Sequence, residues 1–121
     1  MKTTIAKVAN PITWQCCPPL LAGNLTPAQA EALAGMFRVL GDPTRLQLLS
    51  LIAAQPHQEV KACALVETLG LSQPTVSHHL KVMYEAGLLN RERRGTGIYY
   101  RLVPQCLTML RDVLTPPTPI Y

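Results

Sequence analysis

The chain lacks any long apolar run and is poor in acidic side chains. No stretch approaches the roughly 18–20 apolar residues that a membrane-spanning helix needs, and no hydrophobic region of the signal-peptide type opens the sequence. We therefore expect a cytoplasmic protein with no membrane partner. Seven Asp and Glu side chains stand against eleven Lys and Arg, which gives a net charge of +4 and a pI near 9.1. This balance favours a polyanionic partner, and nucleic acid is the most common one.

The sequence also offers little for catalysis. His78-His79 and the cysteines supply possible bases and nucleophiles, but no acid is placed to orient a histidine, and no α/β framework predicts a pocket. An enzyme is therefore not expected. The 121 residues, 48% of them apolar, suit one folded domain with a small core.

The stretch from Leu71 to Met83 predicts a helix with two unlike faces. Ser72 is a good N-cap, and Pro74 falls in the first turn, where a missing N–H costs little. Apolar residues at positions 76, 80 and 83 have the spacing of a buried face. The other face has no carboxylate and would suit base edges in the DNA major groove, although such faces are usually only solvated. Its side chains are Gln73, Thr75, Ser77, His78 and Lys81.

The flanking residues predict a helix-turn-helix followed by a β-hairpin. A short helix over 60–69 is expected to end at Gly70, which leaves a tight turn before the next helix. Two strand-like runs between 88 and 102 flank a Gly-Thr-Gly turn and predict a hairpin, or wing. Residues 72–101 hold five basic and two acidic side chains, so +3 of the net +4 lies here. We expect four of these cations to contact phosphates or enter the minor groove: Lys81, Arg91, Arg93 and Arg94.

Two further helices are predicted before the motif and one after it. Thr26 and Asp42 are N-caps, each followed by a proline at the first helical position, and these helices should end near Gly41 and Ala54. Apolar spacing favours buried positions 30, 33, 34, 37 and 40 in the first helix and 46, 49, 50 and 53 in the second. The last helix, after Pro104, has apolar positions 106 or 107, 110 and 114.

These elements suggest three segments. Residues 26–114 form the expected winged helix-turn-helix domain for DNA binding. Residues 1–25 contain prolines that break regular structure and are expected to form a flexible arm that carries Cys16-Cys17. The proline-rich residues 115–121 are expected to be a disordered tail.

Four polar or aromatic positions within this domain invite a structural interpretation. Arg45, in the first turn of its helix, faces the helix dipole unfavourably, so we expect an acidic or phosphate partner, or simple solvation. His79 lies on the inner side of its helix and is expected to be a hydrogen-bonded packing residue. Tyr99 and Tyr100 alternate along a strand, so one of the two should pack in the core.

The four cysteines are more consistent with free thiols or metal ligands than with disulfides, because no export signal is present. Cys16 and Cys17 are adjacent, with Cα atoms ~3.8 Å apart, below the usual disulfide range of ~4.4–6.8 Å. Vicinal thiols oxidise readily, and their main advantage is coordination of a thiophilic ion. Cys63 is the leading candidate for a third thiolate, which would complete a trigonal As(III) or Sb(III) site. Cys106, on an apolar face, is expected to be a small buried residue.

Three segments, in this order, resemble the ArsR/SmtB (arsenic-repressor) family: Leu40-Gly-Asp-Pro-Thr-Arg45, Leu71-Ser-Gln-Pro-Thr-Val-Ser-His-His-Leu80, and Gly87-Leu-Leu followed by Gly97-Ile-Tyr-Tyr-Arg101. The resemblance covers about residues 26–113. It implies a mainly α fold with a small β-hairpin, a winged helix-turn-helix of order α-α-α-α-β-β-α, dimeric through its first and last helices. It also implies a homodimeric repressor that leaves double-stranded operator DNA when a metal or metalloid ion binds.

The effector residues both resemble and depart from the family pattern. The family motif Glu-Leu-Cys-Val-Cys-Asp-Leu reads Glu59-Val-Lys-Ala-Cys-Ala-Leu65 here, so Lys61 replaces the first thiol and Cys63 retains the second. Adjacent arm thiols resemble those of a subgroup of arsenite sensors whose third Cys stands near the place of His57. The third ligand therefore stays open between Cys63, His57 and none.

The same residues allow two other effectors. His57 together with three thiolates would suit Zn²⁺ or Cd²⁺, which makes a Cd-, Zn- or Pb-responsive repressor the first alternative. The family's zinc site on the last helix is not matched, because residues 104–114 offer Asp112 but no His. A thiol-redox repressor without metal is the second alternative, with an arm thiol linked to Cys63.

Overall fold

The computed structural model describes Leu20 and residues 23–116, so Cys16, Cys17 and the end of the tail lie outside the described residues. Five α-helices and three strands follow one another in this part of the chain. They are α1 (Pro27–Leu40), α2 (Pro43–Ala53), β1 (Glu59–Lys61), α3 (Ala62–Leu69), α4 (Gln73–Glu85), β2 (Leu89–Arg94), β3 (Gly97–Leu102) and α5 (Pro104–Leu114). The predicted winged helix-turn-helix fold is confirmed. None of the described helices is long and apolar enough to cross a membrane.

Three helices begin where their capping residues predict. The Thr26 hydroxyl accepts a hydrogen bond from the N–H of Gln29, whose side-chain oxygen accepts the Thr26 N–H in return. Asp42 caps α2 and Ser72 caps α4, each through backbone N–H groups of the first turn. These bonds satisfy donors that the helix itself leaves unpaired, which fixes where each helix begins.

The sheet contains one strand more than the predicted hairpin. Its order is β1-β3-β2, and both pairings are antiparallel. The prediction of helix at Val60 and Lys61 was wrong, because these residues pair with Tyr100 and Tyr99 of β3 and the helix begins only at Ala62. Without β1, the outer edge of β3 would carry unpaired backbone groups.

The core lies where α1, α2, α4 and α5 pack with the sheet. In α2 the buried residues are Leu48 and Ile52, whereas Leu46 is 50% exposed, so the predicted face was wrong. The apolar residues of α2 itself lie on almost every side of the helix, so their spacing does not predict which face is buried. The face of α5 also differs from the prediction. Leu114 is 47% exposed, and the buried residues are Cys106, Leu110 and Val113.

The first helix follows its predicted face only in part. Leu33 and Met36 are buried, and Phe37 and Leu40 are partly buried against the core. The small side chains predicted to be buried, at positions 30 and 34, are exposed. Met36 takes the inner place because it follows Leu33 by three positions, on the same side of the helix.

Candidate nucleic-acid interface

The second helix of the helix-turn-helix, α4, has one fully buried side and one polar side. Val76, Leu80 and Met83 have no exposed surface, and they hold the helix against the core. Every polar residue predicted to face outward is exposed. These are Gln73, Thr75, Ser77, His78 and Lys81.

The hydrogen bonds on this polar side are local. The Ser72 hydroxyl donates to the Thr75 hydroxyl at 2.8 Å, and the Gln73 amide donates to the Ser77 hydroxyl at 3.5 Å. Both bonds join exposed groups, so a base edge can replace them at small net cost. The side therefore offers donors and acceptors of the kind that read base pairs.

The turn between α3 and α4 sets the angle of this helix. Gly70 ends α3 in the left-handed conformation, with φ of 68°, and its N–H donates to the Val66 carbonyl at 3.0 Å. A side chain at this φ is strained, which explains glycine here. Leu71 is partly buried against the core, and Ser72 then begins α4.

His79 lies behind the polar side of α4 and is hydrogen-bonded, as predicted. Its Nδ1 accepts a hydrogen bond from Arg45 Nε at 3.2 Å, and Arg45 Nη1 donates to the Val39 carbonyl at 3.3 Å. The acidic or phosphate partner expected for Arg45 is thus replaced by an imidazole and a carbonyl. The carboxylate of Asp42 attracts the Arg45 guanidinium. The hydrogen bond from the Arg45 backbone N–H is the main cause that lowers the pKa of the Asp42 carboxyl, and the hydrogen bond from the Thr44 N–H and the charge of Arg45 add to it.

The wing is a tight hairpin whose cations differ in their surroundings. Gly95 has a positive φ of 58° in the two-residue turn between β2 and β3. Arg91 is half-buried, with its guanidinium carbon 4.0 Å from the centroid of the Tyr84 ring. Arg93, at the tip, is exposed. The predicted wing cations therefore do not form one equivalent set.

Arg94 is paired with carboxylates. Its guanidinium forms ion pairs with Glu59 of β1 and, at 3.1 Å, with Glu92 of β2, and the Glu59 hydrogen bond is the main cause that raises its pKa. It also lies over the ring of Tyr99, 4.3 Å from the centroid. Glu59 lies 3.6 Å from Arg101 as well. These acids offset part of the positive charge that the sequence placed on the wing.

The third strand also fixes two positions that the sequence left open. Tyr100 is the tyrosine that packs in the core, at 5% exposure, while Tyr99 is half-buried. The stem of Lys61 lies against Gly97, so closely that any side chain at position 97 would overlap it.

Sequence reasoning missed the roles of Tyr84 and Glu59. No periodic pattern marks Glu59, because its partner Arg94 is 35 positions away.

The two described cysteines have opposite surroundings. Cys63 is exposed as the second residue of α3. Cys106 is buried, as predicted, and burial raises the pKa of its thiol to about 11. His57 is exposed in a left-handed turn with φ of 59°. Among the described residues, no three His, Cys, Asp or Glu side chains come together as a metal site.

Comparison with known proteins places this arrangement in a family. The sequence model for bacterial regulatory proteins of the arsR family matches residues 42–91, from the cap of α2 into the wing. The arsenical resistance operon repressor of Staphylococcus xylosus is 37% identical over 84 residues, which cover 69% of this chain and 78% of that one. The chain belongs to the ArsR family.

Two more ArsR-related proteins extend the comparison. The arsenic resistance transcriptional regulator ArsR1 of Pseudomonas putida is 43% identical over 70 residues, which cover 58% of this chain and 53%, about half, of that one. The winged helix-turn-helix domain of Mb0332 from Mycobacterium bovis, a homodimer and possible ArsR-family regulator, has a TM-score of 0.61 at 28% identity. That match covers 68% of this chain and 74% of the other. Family and fold are those of a DNA-binding transcriptional regulator and not of an enzyme.

Proposed function

We propose that this ArsR-family regulator is a homodimeric repressor that leaves operator DNA when As(III) or Sb(III) binds to Cys16, Cys17 and Cys63. The observation that carries the proposal is the exposed thiol of Cys63 at the start of α3, the helix that adjoins the recognition helix. An ion bound there would act directly on the helix-turn-helix. Two relatives named for arsenic or arsenical resistance support this choice of effector.

The DNA side of the proposal depends on α4 and the wing. Gln73, Thr75, Ser77 and His78 are exposed and are assigned to base edges, whereas Lys81 and Arg93 are assigned to phosphates or the minor groove. Arg91 and Arg94 stay in the interface with smaller direct roles, because each is engaged by other side chains. A two-fold dimer, like that of Mb0332, would present two recognition helices to half-sites about one DNA turn apart.

The choice among cysteines follows from their ionisation. A metal or metalloid binds the thiolate, so a ligand must lose its proton near neutral pH. Cys106, with a pKa raised to about 11 by burial, keeps its proton there. Cys63 is exposed at the start of α3, so an ion can reach its thiol directly. Three thiolates suit a trivalent metalloid, whereas Zn²⁺ usually takes four ligands.

Release from DNA follows from thermodynamic linkage between ion binding and operator binding. The ion can shift the dimer away from its DNA-binding state only by binding the released state more tightly, so ion and operator weaken each other reciprocally. An ion that ties the arm thiols to Cys63 would displace α3 and, through the Gly70 turn, α4. A coupling free energy of ~3 kcal/mol would lower operator affinity more than a hundredfold.

The experiment measures binding of a labelled duplex by fluorescence anisotropy under reducing conditions. The duplex is first selected from a random-sequence pool, and the complex is titrated with As(III), Sb(III), Cd²⁺ and Zn²⁺. We expect As(III) or Sb(III) to release the wild type but not Cys63→Ser. The matched control, Cys106→Ala, should be released like the wild type.

Other outcomes point elsewhere. Release of Cys63→Ser by As(III) at wild-type concentrations would remove Cys63 from the site. Release by Cd²⁺ or Zn²⁺ alone would favour a divalent-metal repressor. If diamide releases the DNA and no ion does, the regulator senses thiol oxidation instead.

A further inference from the structure

One arginine connects three helices of the DNA-binding domain. Arg45 belongs to the first turn of α2, is half-buried, and makes the two hydrogen bonds described above. One of them ends on the Val39 carbonyl in the last turn of α1, and the other on His79 of α4. The recognition helix is thus joined through one side chain to the two helices that precede the motif.

The surroundings of Arg45 compensate for an unfavourable position. A cation in the first turn of a helix meets the positive end of the helix dipole. The ionised Asp42 cap supplies an opposite charge, and Val39 lies among the last residues of α1, whose carbonyls have no partner within the helix. Since the guanidinium is protonated at all working pH values, its Nε can only donate, so Nδ1 of His79 must accept. This bond fixes the orientation of the imidazole ring.

His79 is the neighbour of a proposed base-reading residue. His78 is exposed on the polar side of α4, and its ring centroid lies 5.8 Å from that of His79. Successive helix residues point about 100° apart, so His79 holds the helix from behind the reading side. A rotation of α4 would move all base-reading groups together. Bidentate contacts with bases tolerate little displacement, whereas long cations adapt to phosphates.

We propose that Arg45 and His79 are positioning residues that set the sequence specificity of DNA binding by fixing the orientation of α4. This inference rests on the proposed DNA binding but not on the metalloid effector. It requires that loss of the Arg45–His79 bond lowers affinity for the selected duplex and leaves affinity for unrelated DNA unchanged.

Four variants isolate this bond. His79→Leu removes the acceptor, whereas His79→Asn keeps an oxygen in the place of Nδ1. Arg45→Lys keeps the charge, but its single nitrogen cannot take the places of both Nε and Nη1. The fourth variant combines Arg45→Lys with His79→Leu. Each is compared with the wild type by anisotropy on the selected duplex and on a scrambled duplex of equal length.

The expected result concerns the ratio of the affinity for the selected duplex to the affinity for the scrambled duplex. His79→Leu and Arg45→Lys should each lower it about tenfold, and the double variant should lose no more than either one, because one bond is removed in all three. His79→Asn should stay within about threefold of the wild type. Affinity for the scrambled duplex and its salt dependence should not change, since phosphate contacts remain.

Three results would overturn the inference. The first is an affinity ratio like that of the wild type in both His79→Leu and Arg45→Lys. The second is equal weakening on both duplexes, and the third is an Asn variant as poor as the Leu variant; either of these would mean a purely structural role. If a urea titration shows that His79→Leu is not folded, the comparison of Arg45→Lys with His79→Asn tests the inference without it. A wild type that binds neither duplex would instead contradict the proposed DNA-binding function.

Discussion

The guanidinium of Arg91 lies over the ring of Tyr84, 4.0 Å from its centroid, and this contact joins the wing to the C-terminal half of the recognition helix. Both side chains are half-buried. A cation over an aromatic face is attracted by the ring quadrupole, by ~0.5–1 kcal/mol when exposed and more when desolvated. Arg91 is therefore expected to hold the wing in place more than to reach for phosphates.

Substitution of Tyr84 tests this contact. Tyr84→Phe keeps the aromatic face and should leave the free energy of unfolding nearly unchanged. Tyr84→Leu should lower that free energy by ~1–2 kcal/mol, because the attraction and part of the packing are lost. Urea unfolding followed by circular dichroism gives both values. In the Tyr84→Leu background, Arg91→Met should cost less than in the wild type, and equal costs would show that the two side chains do not interact.

The wing cations should differ in their contribution to DNA binding. Arg93 is exposed, so Arg93→Gln should reduce the slope of log K against log salt concentration by about one. Arg94→Gln should reduce it less, because Glu59 and Glu92 already pair with Arg94. The measurement is a salt series on a single duplex. Glu59→Gln is the matched control and should strengthen binding at every salt concentration. Equal slopes for the Arg93 and Arg94 variants would contradict the pairing seen in the wing.

The polar side of α4 should separate sequence reading from general affinity. Gln73→Ala should cost about 1–3 kcal/mol on the preferred duplex and relax the preference at one base pair. Lys81→Gln should weaken binding to all duplexes alike, since a phosphate contact carries no sequence information. Competition with duplexes changed at one base pair each provides the comparison. A uniform loss in Gln73→Ala would place Gln73 on the backbone and not on a base.

Local sequence signals predicted where three of the helices begin, because the causes of those starts are local. Thr26, Asp42 and Ser72 each bond to N–H groups two or three positions ahead, so the residue types alone mark where a helix begins. β1 was missed for the opposite reason. Val60 is extended because Tyr100 pairs with it, and nothing near Val60 in the sequence announces that partner.

The same distinction applies to the candidate site. The exposed side of α4 follows from a helical period, and the buried Cys106 follows from its apolar neighbours on α5. The contacts that set the site are long-range, however. Arg45 meets His79 across 34 positions and Arg94 meets Glu59 across 35, and no period connects such pairs. The exposed positions of α4 were therefore predictable from sequence, while the long-range contacts of Arg45 and Arg94 were not.

The two described thiols should react at very different rates. Iodoacetamide attacks the thiolate, so the exposed Cys63 should be alkylated readily near pH 8. Cys106 should stay unmodified in the folded chain, because burial blocks access and raises its pKa to about 11. Mass spectrometry of digested samples taken over time gives both rates. In urea the two rates should converge, and similar rates without urea would mean that Cys106 is accessible.

Cys106 should also make stability depend on alkaline pH. Burial raises the pKa of its thiol from 9.0 to about 11, so the folded chain holds a proton over a range in which the unfolded chain releases it. This contribution is fully present below about pH 9 and is lost as the pH rises towards about 11. Urea unfolding from about pH 8 to about pH 10.5 should therefore show a steeper loss for the wild type than for Cys106→Ala. Other groups that titrate in this pH range are shared by the wild type and Cys106→Ala, so the difference between the two curves isolates Cys106. Parallel curves would mean that the thiol ionises as easily in the folded chain as in the unfolded one.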